Sequence, residues 1–434
     1  MYSSTEDGRA TDDFASMVDE GPSSFRLRTS IYTDPRVFDA EMKRVFENSW
    51  VYVGHESEVA ERGDFVTSTV GRQPVIVSRG HDGAIRVFLN ACRHRGNALC
   101  REGQGNVKDF TCRYHGWVFA TDGRLVAVPE SDAYPEAFER ARDQFGLLQA
   151  RASLYRGLIF VNLGRTSESL EDYLGEVKRY IDLWADMSPV ETIRLSRPHA
   201  YKFPGNWKFQ VENGVDNYHP RFVHQSAFNT FRHYSLGRYA SKSSNTDEPN
   251  RTLGFDRGHC VLERPGLWSV YTAEQYDRYF GALVARHGRQ RAEEIFCIRH
   301  IHIFPNVCLM DANIRVMQPL SVDATSVYSY FTAFDGVTQD INDARLADVQ
   351  RRLGSVGFIN SDDVEIFGGN QTGIRALDSI VLERGMHREI VHPNGMREGG
   401  PTDETPQRAI YRGWLQSMAG VEKAAPHPTV AVGA

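Results

Sequence analysis

Cysteine is scarce: the six in this 434-residue chain (Cys92, Cys100, Cys112, Cys260, Cys297 and Cys308) are too few and too scattered for a disulfide framework. They are expected to stay reduced, which leaves a subset free to bind metal. A basic excess is also missing, since 50 Lys and Arg stand against 56 Asp and Glu for a net charge of -6. The positive field that nucleic acid or an anionic membrane would require is therefore absent. No apolar run approaches the roughly 20 residues of a membrane span. The opening segment MYSSTEDGRATDD is polar and acidic where a secretory signal is basic and then apolar, so a cytoplasmic location is expected. Neither a G-x-G-x-x-G opening a βα unit nor a G-x-x-x-x-G-K-[ST] loop occurs. Electrons for any redox chemistry must come from outside the chain.

The chain does have length and apolar content, with 41% hydrophobic residues, which is ample for two domains. Residues 1–24 read as a flexible acidic lead. Asp34 and Pro35 then open a helix with apolar residues near helical spacing. From Val51 to about Asn162 the texture changes to short β-rich runs (FVTSTVG, QPVIVSRG, IRVFLNAC, GWVFATDGRLVAV, GLIFVNLG) broken by Gly and Asp, which predicts a small antiparallel β-domain. SLEDYLGEVKRYIDLWADM has a Ser-x-x-Asp start and helical periodicity, whereas IHIFPNVCLM, IRVMQPL and SVYSYFTAF read as strands of a second sheet. Residues 341–371 return to helical character, and KAAPHPTVAVGA has the composition of a loose tail. The expected class is α+β.

Two constellations carry chemistry. Cys92-x-His94 is followed after 17 residues by Cys112-x-x-His115, so each of two short loops offers one thiolate and one imidazole. Structural zinc could use these four residues, yet zinc sites usually place both cysteines in one pair and both histidines in the other. The mixed pairs suit a two-iron, two-sulfur cluster in which one iron takes both thiolates and the other both imidazoles. The second constellation is NWKFQVENGVDNYHPRFVH, with Asn213, Asp216, His219 and His224 close together. Asp216 and His219, three apart, are expected on one face of a helical turn. Pro220 is expected to interrupt that helix and let His219 and His224 aim at one ion. Two histidines and a carboxylate on one face, with open positions for oxygen, are the ligands of non-haem ferrous iron, and Asp362 and Asp363 are candidates for the carboxylate. His300 and His302 alternate on a predicted strand, either into a pocket or, preferably, on a solvent face. The other four cysteines are expected to be buried as small apolar residues.

Both motifs, including Arg95-Gly96 and Gly116-Trp117 beside the cluster ligands, resemble the large (alpha) subunit of the Rieske non-haem iron ring-hydroxylating oxygenases. The resemblance covers nearly the whole chain in layout. It implies a Rieske domain at 49–164 inserted in a catalytic domain of helices on an antiparallel sheet, of helix-grip type. Residues 1–48 and 165–420 would form the catalytic domain, with 421–434 as tail. It implies Cys92, His94, Cys112 and His115 as cluster ligands, His219, His224 and Asp363 as iron ligands with Asp362 as fallback, and O2 as co-substrate. Asp216 would link His219 to His115 of a neighbouring subunit, with Asn213 lining that passage and Tyr114 beside the cluster. Only Gly214 and Val215 separate Asn213 from Asp216, as in the benzoate-, toluate-, cumate- and salicylate-type members. That points to a substituted benzoate or related aromatic acid, facing Phe209, Val215, Leu353, Phe358 and Ile359, with Arg232 as a candidate carboxylate anchor. The implied partners are a flavin reductase, a ferredoxin in some systems, and a small beta subunit, in a homotrimer or an assembly of three large and three small subunits. A Rieske monooxygenase or O-demethylase is the alternative reading. A pure electron carrier would need only the first constellation, and a zinc-stabilised binding protein would hold no sulfide.

Overall fold

The computed structural model describes residues 13–164, 167–234, 250–264, 270–355 and 357–419. The expected tail and the first part of the acidic lead lie outside these residues. The rest of the lead departs from expectation, because Val18–Gly21 (β1) and Ser24–Arg28 (β2) form a hairpin that buries Phe25 and Leu27. Helix α1, Pro35–Glu41, starts where Asp34 accepts a hydrogen bond from the Arg36 N–H at 2.8 Å, with Pro35 at its first turn.

The β-rich stretch then folds as Val51–His55 (β3), Asp64–Val70 (β4), Gln73–Arg79 (β5), Ile85–Leu89 (β6), Gln104–Asn106 (β7), Asp109–Thr111 (β8), Val118–Ala120 (β9), Leu125–Ala127 (β10), Arg151–Tyr155 (β11) and Leu158–Asn162 (β12). These pair antiparallel in the orders β6-β5-β4-β7, β10-β9-β8 and β11-β12-β3. Phe65, Ile76, Phe88, Phe110, Trp117 and Phe119 pack with Cys92 and Cys112 into a core of their own. The two mixed Cys/His loops are thus anchored on a rigid apolar base.

Beyond it, Leu170–Leu174 (α2) begins where the Ser169 hydroxyl accepts from the Asp172 N–H and ends at Gly175 with φ +48°; Lys178–Ala185 (α3) follows. Strands Ile193–Leu195 (β13) and His199–Phe203 (β14) lead to Trp207–Gly214 (α4), Pro220–Val223 (α5) and Gln225–His233 (α6). Strands Arg251–Gly254 (β15) and Cys260–Arg264 (β16) and helix Ala273–His287 (α7) precede Ile298–Ile303 (β17), Val307–Leu309 (β18), Asn313–Ser321 (β19) and Ala324–Phe334 (β20). The chain closes with Gln339–Leu353 (α8), Asn360–Gly373 (α9), Ser379–Val381 (β21), Ile390–Val391 (β22), Arg397–Gly399 (β23) and Thr405–Ala419 (α10). The large antiparallel sheet runs β13-β20-β19-β18-β17-β16-β15-β23-β22, with β14 also on β20.

This sheet is covered on both faces, so its central strands are buried almost throughout rather than alternating. Ile301 and Ile303 pack with Ile181, Trp184 and Tyr279 on one face. On the other face His300 Nδ1 meets the Gly214 carbonyl at 2.8 Å, and His302 is fully buried. Neither histidine lies on a solvent face, because α4 occupies that side. Burial drives both imidazole pKa values down to about 3, which keeps them neutral. Helix α4 is itself pinned from below: Lys208 and Glu41 form a fully buried ion pair at 2.6 Å, and Glu41 also accepts from Trp207 Nε1 (2.9 Å) and Trp414 Nε1 (2.7 Å). The pair ties α1, α4 and α10 together. Finally β2 pairs with β21, fastening the start of the described chain to its later part.

Candidate functional site

The two Rieske-type loops are built alike. Gly96 N–H donates to the Cys92 carbonyl and Gly116 N–H to the Cys112 carbonyl, each at 2.9 Å, and both glycines have positive φ (+72° and +69°), a backbone that a side chain rarely adopts. Each loop therefore curls back on its own cysteine. His94 and His115 rings face one another at 4.6 Å between centroids, and Trp117 stacks on His94 at 4.9 Å. His94 Nδ1 is buried with no hydrogen-bond partner. Among the described residues the one group of three His, Cys, Asp or Glu donors within 4.8 Å of each other is elsewhere in the chain. A tetrahedral zinc site brings its donor atoms to about 3.3–3.8 Å from each other, given metal–ligand bonds of roughly 2.0–2.3 Å. The Cys92/His94/Cys112/His115 set is too open for one ion and fits a binuclear cluster. Asn97 Nδ2 lies 3.8 Å from Cys112 Sγ, Tyr114 stacks on His115 at 3.7 Å, and the Arg95 guanidinium sits over the Tyr114 ring at 5.4 Å.

The compact group is His219, His224 and Asp363. The local path to it differs from the expected helical turn. Helix α4 stops at Gly214, and Asp216 sits in a non-helical turn, where its Oδ1 accepts the Tyr218 N–H at 2.6 Å. Pro220 does not interrupt a helix; it opens α5, as its fixed φ and missing N–H suit a first turn. His219 precedes α5 and His224 separates it from α6, and this break turns the two rings to 5.3 Å and 80°. Asp363 arrives from α9, with Oδ1 3.5 Å from His219 Nε2 and 3.2 Å from His224 Nε2. The His224 Nε2 approach lacks hydrogen-bond alignment, as expected of two lone-pair donors aimed at a common centre. Asn213 Nδ2 spans the set, 3.1 Å from His219 Nε2 and 3.1 Å from Asp363 Oδ1.

Each histidine has a carboxylate behind it. Asp216 Oδ2 lies 3.2 Å from His219 Nδ1, and Asp362 Oδ2 lies 3.2 Å from His224 Nδ1. Asp362 thus stands on the far side of His224 from the converging atoms, so Asp363 is the carboxylate that completes the set. Burial disfavours the charged form of His224, but Asp363 and Asp362 outweigh it and hold the imidazole pKa above its ordinary value. The Asp362 contact is a hydrogen bond, of the kind that fixes tautomer and ring orientation in metal-binding histidines, whereas Asp216 lies close to His219 Nδ1 without hydrogen-bond alignment. A cavity of about 160 Å³ opens beside the set, lined by Glu212, Asn213, Asp216, His219, Asp363 and Glu404. Burial raises Glu212 to about 7 despite hydrogen bonds from Tyr411 and Tyr32.

Of the five apolar residues expected at the substrate, Leu353 and Ile359 join a cluster with Phe231, Cys308, Met310, Ala312, Phe331 and Val349. That cluster reaches the histidines through Phe228, whose ring is 6.0 Å from His224. Phe358 is half exposed and edges onto Phe231. Phe209, stacked on Tyr32 at 4.9 Å, lines the cavity beside His219 and Asp363, and both it and Val215 pack in a different cluster from Leu353 and Ile359. Arg232 is exposed on α6, bonded to Asn229 and the Phe228 carbonyl, and does not face the site. The strand residues of this wall come from β18 and β20 and the segment before β19, which helical or local spacing does not reveal.

Fold and sites together define an iron–sulfur oxygenase. Residues 49–139 match the Rieske [2Fe-2S] domain and residues 190–420 the ring hydroxylating alpha subunit catalytic domain. The chain belongs to the ring-hydroxylating oxygenase alpha-subunit family. It is 34% identical to the toluate 1,2-dioxygenase alpha subunit of Pseudomonas putida, over 87% of this chain and 85% of that one. It is also 34% identical to the anthranilate 1,2-dioxygenase large subunit of Acinetobacter baylyi, over 81% and 78%. Among solved structures, naphthalene 1,2-dioxygenase from Rhodococcus sp. superposes with TM-score 0.78 at 27% identity, covering 91% of this chain and 94% of that one. The protein is therefore a terminal oxygenase that uses a Rieske [2Fe-2S] cluster, mononuclear iron and O2 on an aromatic ring. Members of this family are oxygenase components with electron-transfer partners and multimeric assemblies. Among the described residues no helix is long and apolar enough to cross a membrane.

Proposed function

We propose that this chain cis-dihydroxylates an aromatic carboxylic acid of the substituted-benzoate class, with His219, His224 and Asp363 holding iron and Cys92, His94, Cys112 and His115 holding the cluster. The observation that carries the site assignment is the convergence of three donor atoms within 4.8 Å, each histidine backed by its own carboxylate. The substrate class rests on relatives named for toluate, anthranilate and 2-halobenzoate. When bound, the iron supplies an open, two-histidine-one-carboxylate site for oxygen, and the cluster supplies electrons one at a time. The protein's own residues orient and couple these groups. Asp362 holds His224 by a hydrogen bond, Asp216 sets its charge against His219, and the apolar wall around Leu353, Ile359 and Phe331 keeps water from the ring.

Within one chain, no hydrogen bond, ion pair or ring contact among the described residues joins the cluster loops to the iron site. Asp216 keeps 29% of its side chain exposed, and Tyr114 beside His115 is 54% exposed. Both ends of the electron path thus face outward, which supports a head-to-tail trimer in which Asp216 meets His115 of the next subunit. A flavin reductase, with or without a ferredoxin, would supply the electrons in the cytoplasm, and small beta subunits would complete the assembly. The test is turnover of benzoate, 3-methylbenzoate and 2-aminobenzoate by the purified component. Conversion with NADH should require an added flavin reductase; conversion by the component and NADH alone, or none with any of the three acids, would count against this function.

A further inference from the structure

A buried charge stands unpaired beside the iron site. Arg315 on β19 is 2% exposed, and no carboxylate among the described residues pairs with it. Its Nη2 reaches Asn360 Oδ1 at 3.3 Å, and its Nε has no partner. Among the described residues every other buried arginine or lysine is satisfied by a carboxylate or by several carbonyls: Lys208 by Glu41, Arg299 by Glu263, Arg352 by Asp348, Arg408 by Glu389, and Arg345 by the carbonyls of Thr332 and Asp311. A guanidinium cannot shed its proton, so burying one without an anion costs several kcal/mol in general. Folding alone gives no return for it.

The neighbours are short of acceptors in the same way. Asn360, 1% exposed at the start of α9, has its Nδ2 unpartnered. Gln210 on α4 accepts from the Tyr201 hydroxyl at 2.7 Å, while its own Nε2 donates to nothing. Arg315 lies opposite Cys308 in the β18–β19 pair, and Cys308 belongs to the apolar wall that also contains Ile359, the residue preceding Asn360. Asn360 in turn lies three residues before Asp363 on α9, one helical turn or about 5 Å away. Unused donors and one fixed positive charge therefore meet at the edge of the apolar wall, a turn of helix from the iron ligand.

We propose that Arg315, assisted by Asn360, is the anchor for the carboxylate of an aromatic acid substrate, which rests on the aromatic-acid reading above. A carboxylate offers two oxygens and about four acceptor positions, enough for the guanidinium and the Asn360 amide together. Water would fill the hydrogen bonds and leave the charge uncompensated. Because the anchor is one helical turn from Asp363, the ring carbons brought to the iron are those nearest the carboxyl group, the carbon bearing it and its ortho neighbour. The distal edge of the ring then lies along Phe331, Leu353 and Met310.

The experiment is calorimetric titration of the iron- and cluster-loaded oxygenase with benzoate and with benzamide, which has nearly the same shape and no charge. Wild type should prefer benzoate by about a hundredfold, the size expected of hydrogen bonds to a charged group. Arg315→Met should bring the ratio of the two affinities to near one, and Arg315→Lys should restore part of it. Asn360→Asp should also abolish the preference, because the new carboxylate pairs with Arg315 and displaces that of the ligand. Visible absorption and iron content report folding for each variant, and Asn360→Asp, the smallest change, decides if Arg315→Met fails to load. An unchanged ratio in the loaded variants overturns the anchor while leaving the aromatic-acid reading intact. If wild type binds none of benzoate, 3-methylbenzoate and 2-aminobenzoate, that reading and the anchor fall together.

Discussion

At the scale of single residues, Asp216 separates a structural role from an electronic one. Its Oδ1 holds the Tyr218 N–H and its Oδ2 faces His219 Nδ1, so both roles are available. If it only shaped the turn, Asp216→Asn would cost about 1 kcal/mol of stability and leave chemistry largely intact. The bridging account predicts that both metal sites stay loaded and the cluster stays reducible, while cluster oxidation in single turnover with oxygen and substrate slows by orders of magnitude. Wild-type oxidation rates in that variant would remove the carboxylate from the electron path. Glu212 makes a second case. Burial raises its pKa from 4.5 to about 7, so between those values the unfolded chain has released a proton that the folded chain retains. Stability from this group therefore falls as pH rises through that window. Urea unfolding at pH 5 and pH 7 should give a drop on the order of 2 kcal/mol larger in wild type than in Glu212→Gln; equal drops would mean that Glu212 ionises normally.

Among the elements, α4 matters most, since it carries Asn213 and ends at the turn that sets His219. Its base is the buried Lys208–Glu41 pair, with both Trp207 and Trp414 indoles on the same carboxylate. Glu41→Ala should destabilise the protein by about 3–5 kcal/mol by stranding the lysine, measured by urea unfolding, and should lower iron retention before it bleaches the cluster, which sits on a separate core. A loss under 1 kcal/mol would show that α4 does not depend on the pair. The same element marks what a linear reading can reach. Cys92, His94, Cys112 and His115 were legible because each pair is local and the loop between glycine and cysteine is short. His219 and His224 were legible for the same reason, although the helix was expected to run on to Pro220 where it stops at Gly214. Asp363 and Asp362 differ only in which side of His224 they approach, and one residue of helical rotation decides that; spacing alone could not. Arg315, Cys308 and Phe331 reach the site from strands whose order is set by long-range pairing. The hairpin at Val18–Arg28 was likewise hidden, because it is held by β21, far away in sequence, as the hydrogen bond from the Thr29 hydroxyl to the Leu377 carbonyl, 348 residues apart, illustrates.

For the whole molecule, a multimer should be required for activity, because among the described residues no hydrogen bond, ion pair or ring contact joins the cluster loops to the iron site of the same chain. Sedimentation should give a trimer of this chain, alone or with small subunits, and dilution below its dissociation point should abolish turnover while the visible spectrum persists. A fully active monomer would overturn that arrangement. The most direct test of the central claim, that one cluster and one iron in this chain together dihydroxylate an aromatic acid, is a single turnover under isotopically labelled oxygen. The chemically reduced component, free of reductase, would be mixed with benzoate and ¹⁸O2, and its product analysed by mass spectrometry. The account predicts a cis-diol of the acid with both hydroxyl oxygens labelled, at the carboxyl-bearing carbon and its ortho neighbour, formed as the cluster oxidises. Oxidation of the cluster with unaltered benzoate, or a product carrying a single labelled oxygen, would contradict it.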